Sequence, residues 1–377
     1  MLLLHVGKAS FLQSPFSWFV VDVNDTIANT VVDRPGQASP ENHAQALIEQ
    51  LWSGTQRGEL TMKLQHVNHI GIIGTGMMAT SLAVLTTGHG YTTTVFARSD
   101  ERIRHCMSGF QAFFQDLIKK GLVSPDQAAI CSRYLNFTKV YDNLADADVV
   151  FECVAELTDV KHAIYNQIEA HCADVKAICS VSSAIVVDEL ARGASRYKDR
   201  IIVTHPFNPP HLVPLFEVVQ GSVTADGVAD YAKDLLTSLD REVIVLKRGV
   251  PGFIGNRLQM ALWREAQYIV ENDIADPRDV DRAAMYSFMP RYTSIGIFEH
   301  FDNGGLDLSY KVNKYLFPHL CDAKENLEIL SRKVAEGNLG PKTGVGFYDW
   351  REVDMDAFRE RIAAPYWRFF NWDLPKE

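Results

Sequence analysis

Two spacings of apolar residues divide this chain. Between about residues 67 and 247, short apolar runs recur at Asn68–Gly74, Thr92–Ala97, Ala147–Val154, Ala177–Val181, Ile201–Val203, Leu215–Val219 and Glu242–Lys247. Short apolar runs bounded by glycine, proline or polar clusters read as buried strands. Several are separated by stretches with helical spacing: one from Gly76 to about Thr87, then Asp100–Lys120, Pro125–Tyr134 and about Val160–Cys172. Strands alternating with helices predict an α/β fold, a Rossmann-type, doubly wound and mainly parallel sheet.

After Gly249-Val-Pro-Gly252 the period changes. A long helix is expected from Phe253, with apolar positions at Leu258, Ala261, Leu262, Ile269 and Val270. Helices over Pro277–Tyr286, Leu306–Leu320, Glu325–Glu336 and Met355–Phe370 follow, so an all-helical C-terminal domain is expected. The predicted division is an N-terminal extension over 1–61, a dinucleotide-binding domain over 62–250 and a helical domain over 251–377. The extension carries the weakest pattern. Its apolar stretches, Met1–Leu4 and Phe16–Val21, are too short to span a bilayer, and no basic residue precedes the first as a leader would require. Arg34–Pro40 reads as a linker and Glu41–Trp52 as an amphipathic helix.

Composition narrows the class. The 377 residues are 47% hydrophobic and 22% charged, as in an ordinary globular protein. A formal net charge of −10 argues against nucleic acid and against an anionic membrane surface as partners. Six cysteines without a C-x-x-C pair fit a reducing, cytoplasmic setting, and no metal site is expected.

Candidate chemistry begins at Gly74-Thr-Gly76-Met77-Met78-Ala79, a G-x-G-x-x-A turn between a strand and a helix. The glycines allow a tight turn and close approach to a pyrophosphate, which sits on unpaired amides at the helix start. An NAD(P) cofactor is expected. A ribose-binding carboxylate would fall at the end of the second strand, where Ala97-Arg98-Ser99 stands instead. Arg98 and Ser99 would suit a 2′-phosphate, which favours NADP over NAD. Glu152, Glu156, Ser182 and His205 are all expected at strand ends, where such sheets bind ligands, and Glu156 is placed with the cofactor. His205 closes one apolar run, a proline-rich turn follows, and Glu217 lies inside the next run. Side by side, a carboxylate would fix the imidazole tautomer and leave the other nitrogen to take a proton from an alcohol.

From about His66 to Trp350 the chain resembles the 3-hydroxyacyl-CoA dehydrogenase family. The matching stretches are Gly74–Ala79, Ser182-Ser183, His205-Pro-Phe-Asn-Pro209 with Glu217, Pro251-Gly-Phe-Ile-Gly-Asn-Arg257 and Gly340–Tyr348. The resemblance implies His205 as catalytic base with Glu217 as its partner, and Ser182 and Asn256 as the residues that hold the reacting oxygen. It implies a 3-hydroxyacyl-CoA or other small-molecule hydroxy substrate, and a homodimer formed through the helical domain. One departure bears on substrate. Met289-Pro-Arg291 replaces the turn usual in fatty-acyl members, and Arg291 is similar to a residue of the branch acting on carnitine, gulonate and other free hydroxy acids, where a guanidinium would meet a carboxylate.

Overall fold

The computed structural model describes the backbone of Leu2–Val6, Ala9–Ser14 and Ser17–Asp22, and residues 67–370 and 372–376. The linker expected over Arg34–Pro40 and the helix expected over Glu41–Trp52 lie outside the described residues. In the first 60 residues, β1 (Leu2–Val6), β2 (Ala9–Ser14) and β3 (Ser17–Asp22) form an antiparallel three-stranded sheet. Leu4 lies opposite Phe11, and Phe11 opposite Val20. The described residues of the extension's two apolar stretches are therefore strand sequence.

The second unit runs β4 (His69–Ile73), α1 (Met77–Gly88), β5 (Thr92–Phe96), α2 (Asp100–Lys119), α3 (Pro125–Ser132), β6 (Leu135–Thr138), β7 (Val149–Glu152), α4 (Thr158–His171) and β8 (Ala177–Ser180). It continues through α5 (Val187–Ala191), β9 (Ile201–Pro206), β10 (Leu215–Val219), α6 (Val228–Ser238) and β11 (Glu242–Val245). These strands form one sheet in the order β11-β10-β9-β8-β7-β4-β5-β6. Pairing is parallel throughout except between β9 and β10.

Strand alternation builds a core on each face. Ile70, Ile72, Val149, Phe151 and Ile202 pack on one side with α1 and α2; Ile73, Val150, Ile178, Ile201 and Val203 pack on the other with Tyr165 and Ile168 of α4. The chain order reverses beside β4, whose neighbours are β5 and β7, which opens the crevice where doubly wound sheets bind dinucleotides.

The helical part consists of α7 (Gly255–Glu271), α8 (Pro277–Met285), α9 (Ile297–Gly304), α10 (Leu306–Leu316), α11 (Glu328–Ala335) and α12 (Met355–Ala363). Among the described residues, helices α8, α9, α10 and α12 have none buried. The segment after α12 returns to the sheet, where Trp372 and Leu374 are buried in the core beside α1. A Cβ at Gly88 would stand 2.6 Å from the Trp372 ring, so glycine is what lets the tail dock there.

Candidate active site

The cofactor turn follows from backbone sterics. Gly74 takes φ +130, and a Cβ there would come within 2.5 Å of the Cys153 carbonyl oxygen at the end of β7. Gly76 caps α1 without a side-chain hydrogen bond, and a Cβ at Gly76 would meet nothing within 4 Å. Among the described residues no side chain caps the first amides of α1, at Met77, Met78 and Ala79, which fits a bound pyrophosphate. After β5, Ala97 is buried and Arg98 exposed. The Ser99 hydroxyl caps α2 by accepting from the Arg102 amide. Asp100 pairs with Lys139 at 2.7 Å, and that hydrogen bond holds its carboxyl below the usual range. Arg98 stands exposed at the strand end, with its charge acting on the Tyr141 hydroxyl.

The antiparallel register sets Glu217 of β10 directly opposite His205 of β9. The His205 ring nitrogen Nδ1 lies 2.7 Å from Oε2 of Glu217, and both side chains are buried. The other carboxylate oxygen accepts from the amides of Ile254 (2.8 Å) and Gly255 (2.9 Å), at the start of α7. Burial pushes the Glu217 carboxyl up, but the hydrogen bonds from His205, Gly255 and Ile254 outweigh it, and the net shift is downward. An ionised carboxylate only accepts, so Nδ1 of His205 carries the proton and Nε2 is left free to take one. The helix start is built for this contact. Phe253 holds φ 50, rare for a bulky residue, with its ring 5.3 Å from that of His205. A Cβ at Gly255 would stand 2.4 Å from the Phe207 ring.

The turn between the dyad strands is pinned to the cofactor helix. Ser81 of α1 accepts from the His211 amide at 2.9 Å and stands 2.7 Å from its Nδ1. Burial, with the charge of Arg241, pushes the His211 imidazole down to about 3.

Beside the dyad, Ser182 follows β8 and Glu156 follows β7. The Ser182 hydroxyl donates to Oε1 of Glu156, which also accepts from the amides of Ser183 (3.0 Å) and Ala184 (3.1 Å). Burial raises the Glu156 carboxyl, yet the Ser182 hydrogen bond and the charge of Lys161 bring it below its ordinary value. Glu152 ends β7 fully buried, not as a solvated loop charge.

Asn256 lies in the first turn of α7 and lines a cleft of about 640 Å³ together with Arg257, Arg264, Gln267 and Lys324. The Oε1 atom of the buried Gln267 has no hydrogen-bond partner there. Arg291 stands exposed on a 3₁₀ turn, bonding the Ser287 carbonyl at 3.4 Å rather than any of these groups. Sequence reasoning passed over Arg257, Arg264 and Gln267; their three- and four-residue helical steps along α7 with Met260 were the available signal.

Together the doubly wound sheet, the uncapped glycine turn and the neighbouring imidazole–carboxylate pair define a dinucleotide-dependent oxidoreductase. Comparison with known proteins gives the family. The model for the 3-hydroxyacyl-CoA dehydrogenase NAD-binding domain matches residues 69–249, and that for the family's C-terminal domain matches 252–350. The chain belongs to the 3-hydroxyacyl-CoA dehydrogenase family. It is 28% identical over 297 residues to 5-formyl-3-hydroxy-2-methylpyridine 4-carboxylate 5-dehydrogenase of Mesorhizobium japonicum, spanning 79% of this chain and 95% of that protein. It is 33% identical over 216 residues to L-carnitine dehydrogenase of Nocardiopsis dassonvillei, 56% of this chain and 62% of that one. Among solved structures, a 5-formyl-3-hydroxy-2-methylpyridine 4-carboxylic acid 5-dehydrogenase, described as an NAD⁺-dependent dismutase, superposes with TM-score 0.73 at 26% identity, covering 81% of this chain and 96% of that one. The (S)-3-hydroxybutyryl-CoA dehydrogenase of Ralstonia eutropha gives 0.63 at 28%, covering 75% and 99%. Among the described residues, no helix is long and apolar enough to cross a membrane.

Proposed function

We propose that the chain oxidises the secondary alcohol of a hydroxy acid, or reduces the matching ketone, with His205 as general base. The observation that carries this reading is the buried 2.7 Å contact between His205, near the carboxyl end of β9, and Glu217. Nε2 of His205 takes the hydroxyl proton, and Glu217 balances the imidazolium that forms. Asn256 holds the reacting oxygen, and Ser182 joins it by turning its one hydroxyl proton away from Glu156. The nicotinamide dinucleotide supplies the hydride acceptor. Gly74, Gly76 and the amides of Met77, Met78 and Ala79 hold its pyrophosphate, with Glu156 nearer the reacting end. Exposed Arg98 beside the buried Ala97 supports NADP as the preferred form, because a guanidinium there would pair with a 2′-phosphate.

The finer substrate reading is a free hydroxy acid. The Asn256 cleft carries Arg257, Arg264 and Lys324, which would bind a carboxylate; Arg291 is not part of its lining. The carnitine and pyridine carboxylate relatives agree with it. The second reading, a 3-hydroxyacyl-CoA, rests on the family and on the 3-hydroxybutyryl-CoA dehydrogenase neighbour. Against it, Lys120 at the end of α2, one of the few basic side chains that could meet a CoA phosphate, is paired with Glu360.

The helical part is proposed to close on a second copy of the chain. Among the described residues nothing covers its exposed apolar side chains, Phe298 at 89% exposure among them.

The test is purified protein with NAD and NADP against acetoacetyl-CoA and a panel of free 3-hydroxy acids, including 3-hydroxybutyrate and L-carnitine. Turnover is expected with a free acid. His205→Gln should then lose roughly 100- to 10,000-fold in kcat, with cofactor affinity nearly unchanged. Full turnover in that variant contradicts the mechanism.

A further inference from the structure

The start of α7 fastens the helical part to the sheet, where the amides of Ile254 and Gly255 meet Glu217. That fastening follows a turn with two residues in the left-handed region, Gly252 at φ 76 and Phe253 at φ 50. Beyond it α7 runs on for 17 residues in all, a stiff arm of about 26 Å. Any swing of the far end acts with leverage on the first amides. Among the described residues α8, α9, α10 and α12 have none buried, so they do not steady the arm against the sheet.

A second fastening comes from the segment after α12, where a 3₁₀ turn (Ala364–Phe369) leads back to the sheet part. Trp372 enters the core beside α1, its ring 4.4 Å from that of Phe370 and 5.0 Å from that of His89. At the helical end, Nη2 of Arg368 donates to the Thr293 carbonyl at 3.0 Å, in the turn between α8 and α9. One short stretch thus grips the sheet with Trp372 and the far helices with Arg368. The indole nitrogens of Trp367 and Trp372 are buried without a hydrogen-bond partner among the described residues, so packing is what seats the two rings. The segment lies beyond residues 252–350, the stretch matched by the family's C-terminal domain.

We propose that the segment after α12 is a latch, with Trp372 and Arg368 as positioning residues: it holds the helical part against the sheet and so keeps the start of α7 on Glu217. The effect on turnover rests on the reading of Glu217 as the partner of His205; the latch itself does not.

The experiment uses the full chain carrying Trp372→Ala and, separately, Arg368→Ala, which frees the helical end without opening the core. Amide hydrogen exchange at Ile254 and Gly255 is compared with exchange in β4 and β7. In Trp372→Ala it should accelerate roughly tenfold or more while the two strands stay protected. Arg368→Ala, which loses one exposed hydrogen bond, should accelerate it roughly threefold. Turnover on the best acid of the panel should fall in the same order, with cofactor affinity nearly unchanged. Equal acceleration in β4 and β7 would overturn the proposal, because Trp372 would then be an ordinary core residue. Unchanged exchange at 254 and 255 in Arg368→Ala would overturn it too, and decides the matter if Trp372→Ala does not fold. Glu217→Gln separates the two claims: full turnover there removes the role given to Glu217, while the exchange result still decides the latch.

Discussion

On the sheet, Ile70, Ile72, Val149, Phe151 and Ile202 are fully out of water, whereas on the helices Tyr286, Phe298 and Tyr315 are 82%, 89% and 77% exposed. Both parts have the hydrophobic pattern of their secondary structure. In the sheet part, strands and covering helices alternate along the chain, so each apolar face finds its partner within a few tens of residues. In the helical part the amphipathic faces repeat without a second layer to receive them. The difference teaches that periodicity specifies an element and its apolar face, but not what covers that face. The catalytic pair is held from both parts, by the register of the sheet and by the first amides of α7.

The largest effect expected from this contrast is on assembly. Phe298→Asp with Tyr315→Asp should weaken self-association by roughly a hundredfold or more, as loss of two buried aromatic anchors does. Sedimentation of wild type and variant checks it, and a wild type that stays monomeric at high concentration breaks the comparison.

A smaller effect should appear in the stability of the sheet part. His211 is held neutral in the fold, down to about 3, while the unfolded chain takes up its proton near 6.5. Between those values the unfolded state binds more protons, so stability is lost as pH falls from 6.5 towards 3. By about pH 5 this costs about 2 kcal/mol. Urea midpoints across that range should fall, and His211→Asn should flatten the slope; equal slopes would contradict the assignment.

Cofactor choice comes next. Ala97→Asp with Arg98→Ala should reverse an NADP preference by at least about tenfold in kcat/KM, because a charge-assisted hydrogen bond is lost and a carboxylate gained. A wild type that already prefers NAD removes the role given to Arg98. The smallest effect is expected from deleting residues 1–61. The first 60 residues form a separate unit, so kcat should change by less than about twofold. An inactive or insoluble product would tie the extension to the dehydrogenase.

Much of the sheet was readable because its strands are short, apolar and punctuated. His205 and Glu217 could be paired in advance because a proline-rich turn separates two apolar runs, and the antiparallel register then sets them opposite each other. Strand β6 was missed. It lies at the sheet edge, and its sequence, Leu135-Asn-Phe-Thr138, is only partly buried. Helices α6 and α9 were not assigned either, although α6 buries Val228, Ala232, Leu235 and Leu236 at helical spacing. The expected start of α7 at Phe253 moved to Gly255 because Phe253 adopts positive φ and the next two amides serve Glu217. Lys161 was invisible for a different reason. A lysine in a polar helix reads as solvent-facing, and only the fold brings it between two carboxylates.

The most direct test of the central claim is a double-variant cycle on the dyad, measuring kcat/KM for wild type, His205→Gln, Glu217→Gln and the combined change. If Glu217 acts through His205, the combined variant should be about as slow as His205→Gln alone, because groups acting as a unit are not additive. Losses that simply multiply would show that the two side chains act independently, and would contradict the mechanism.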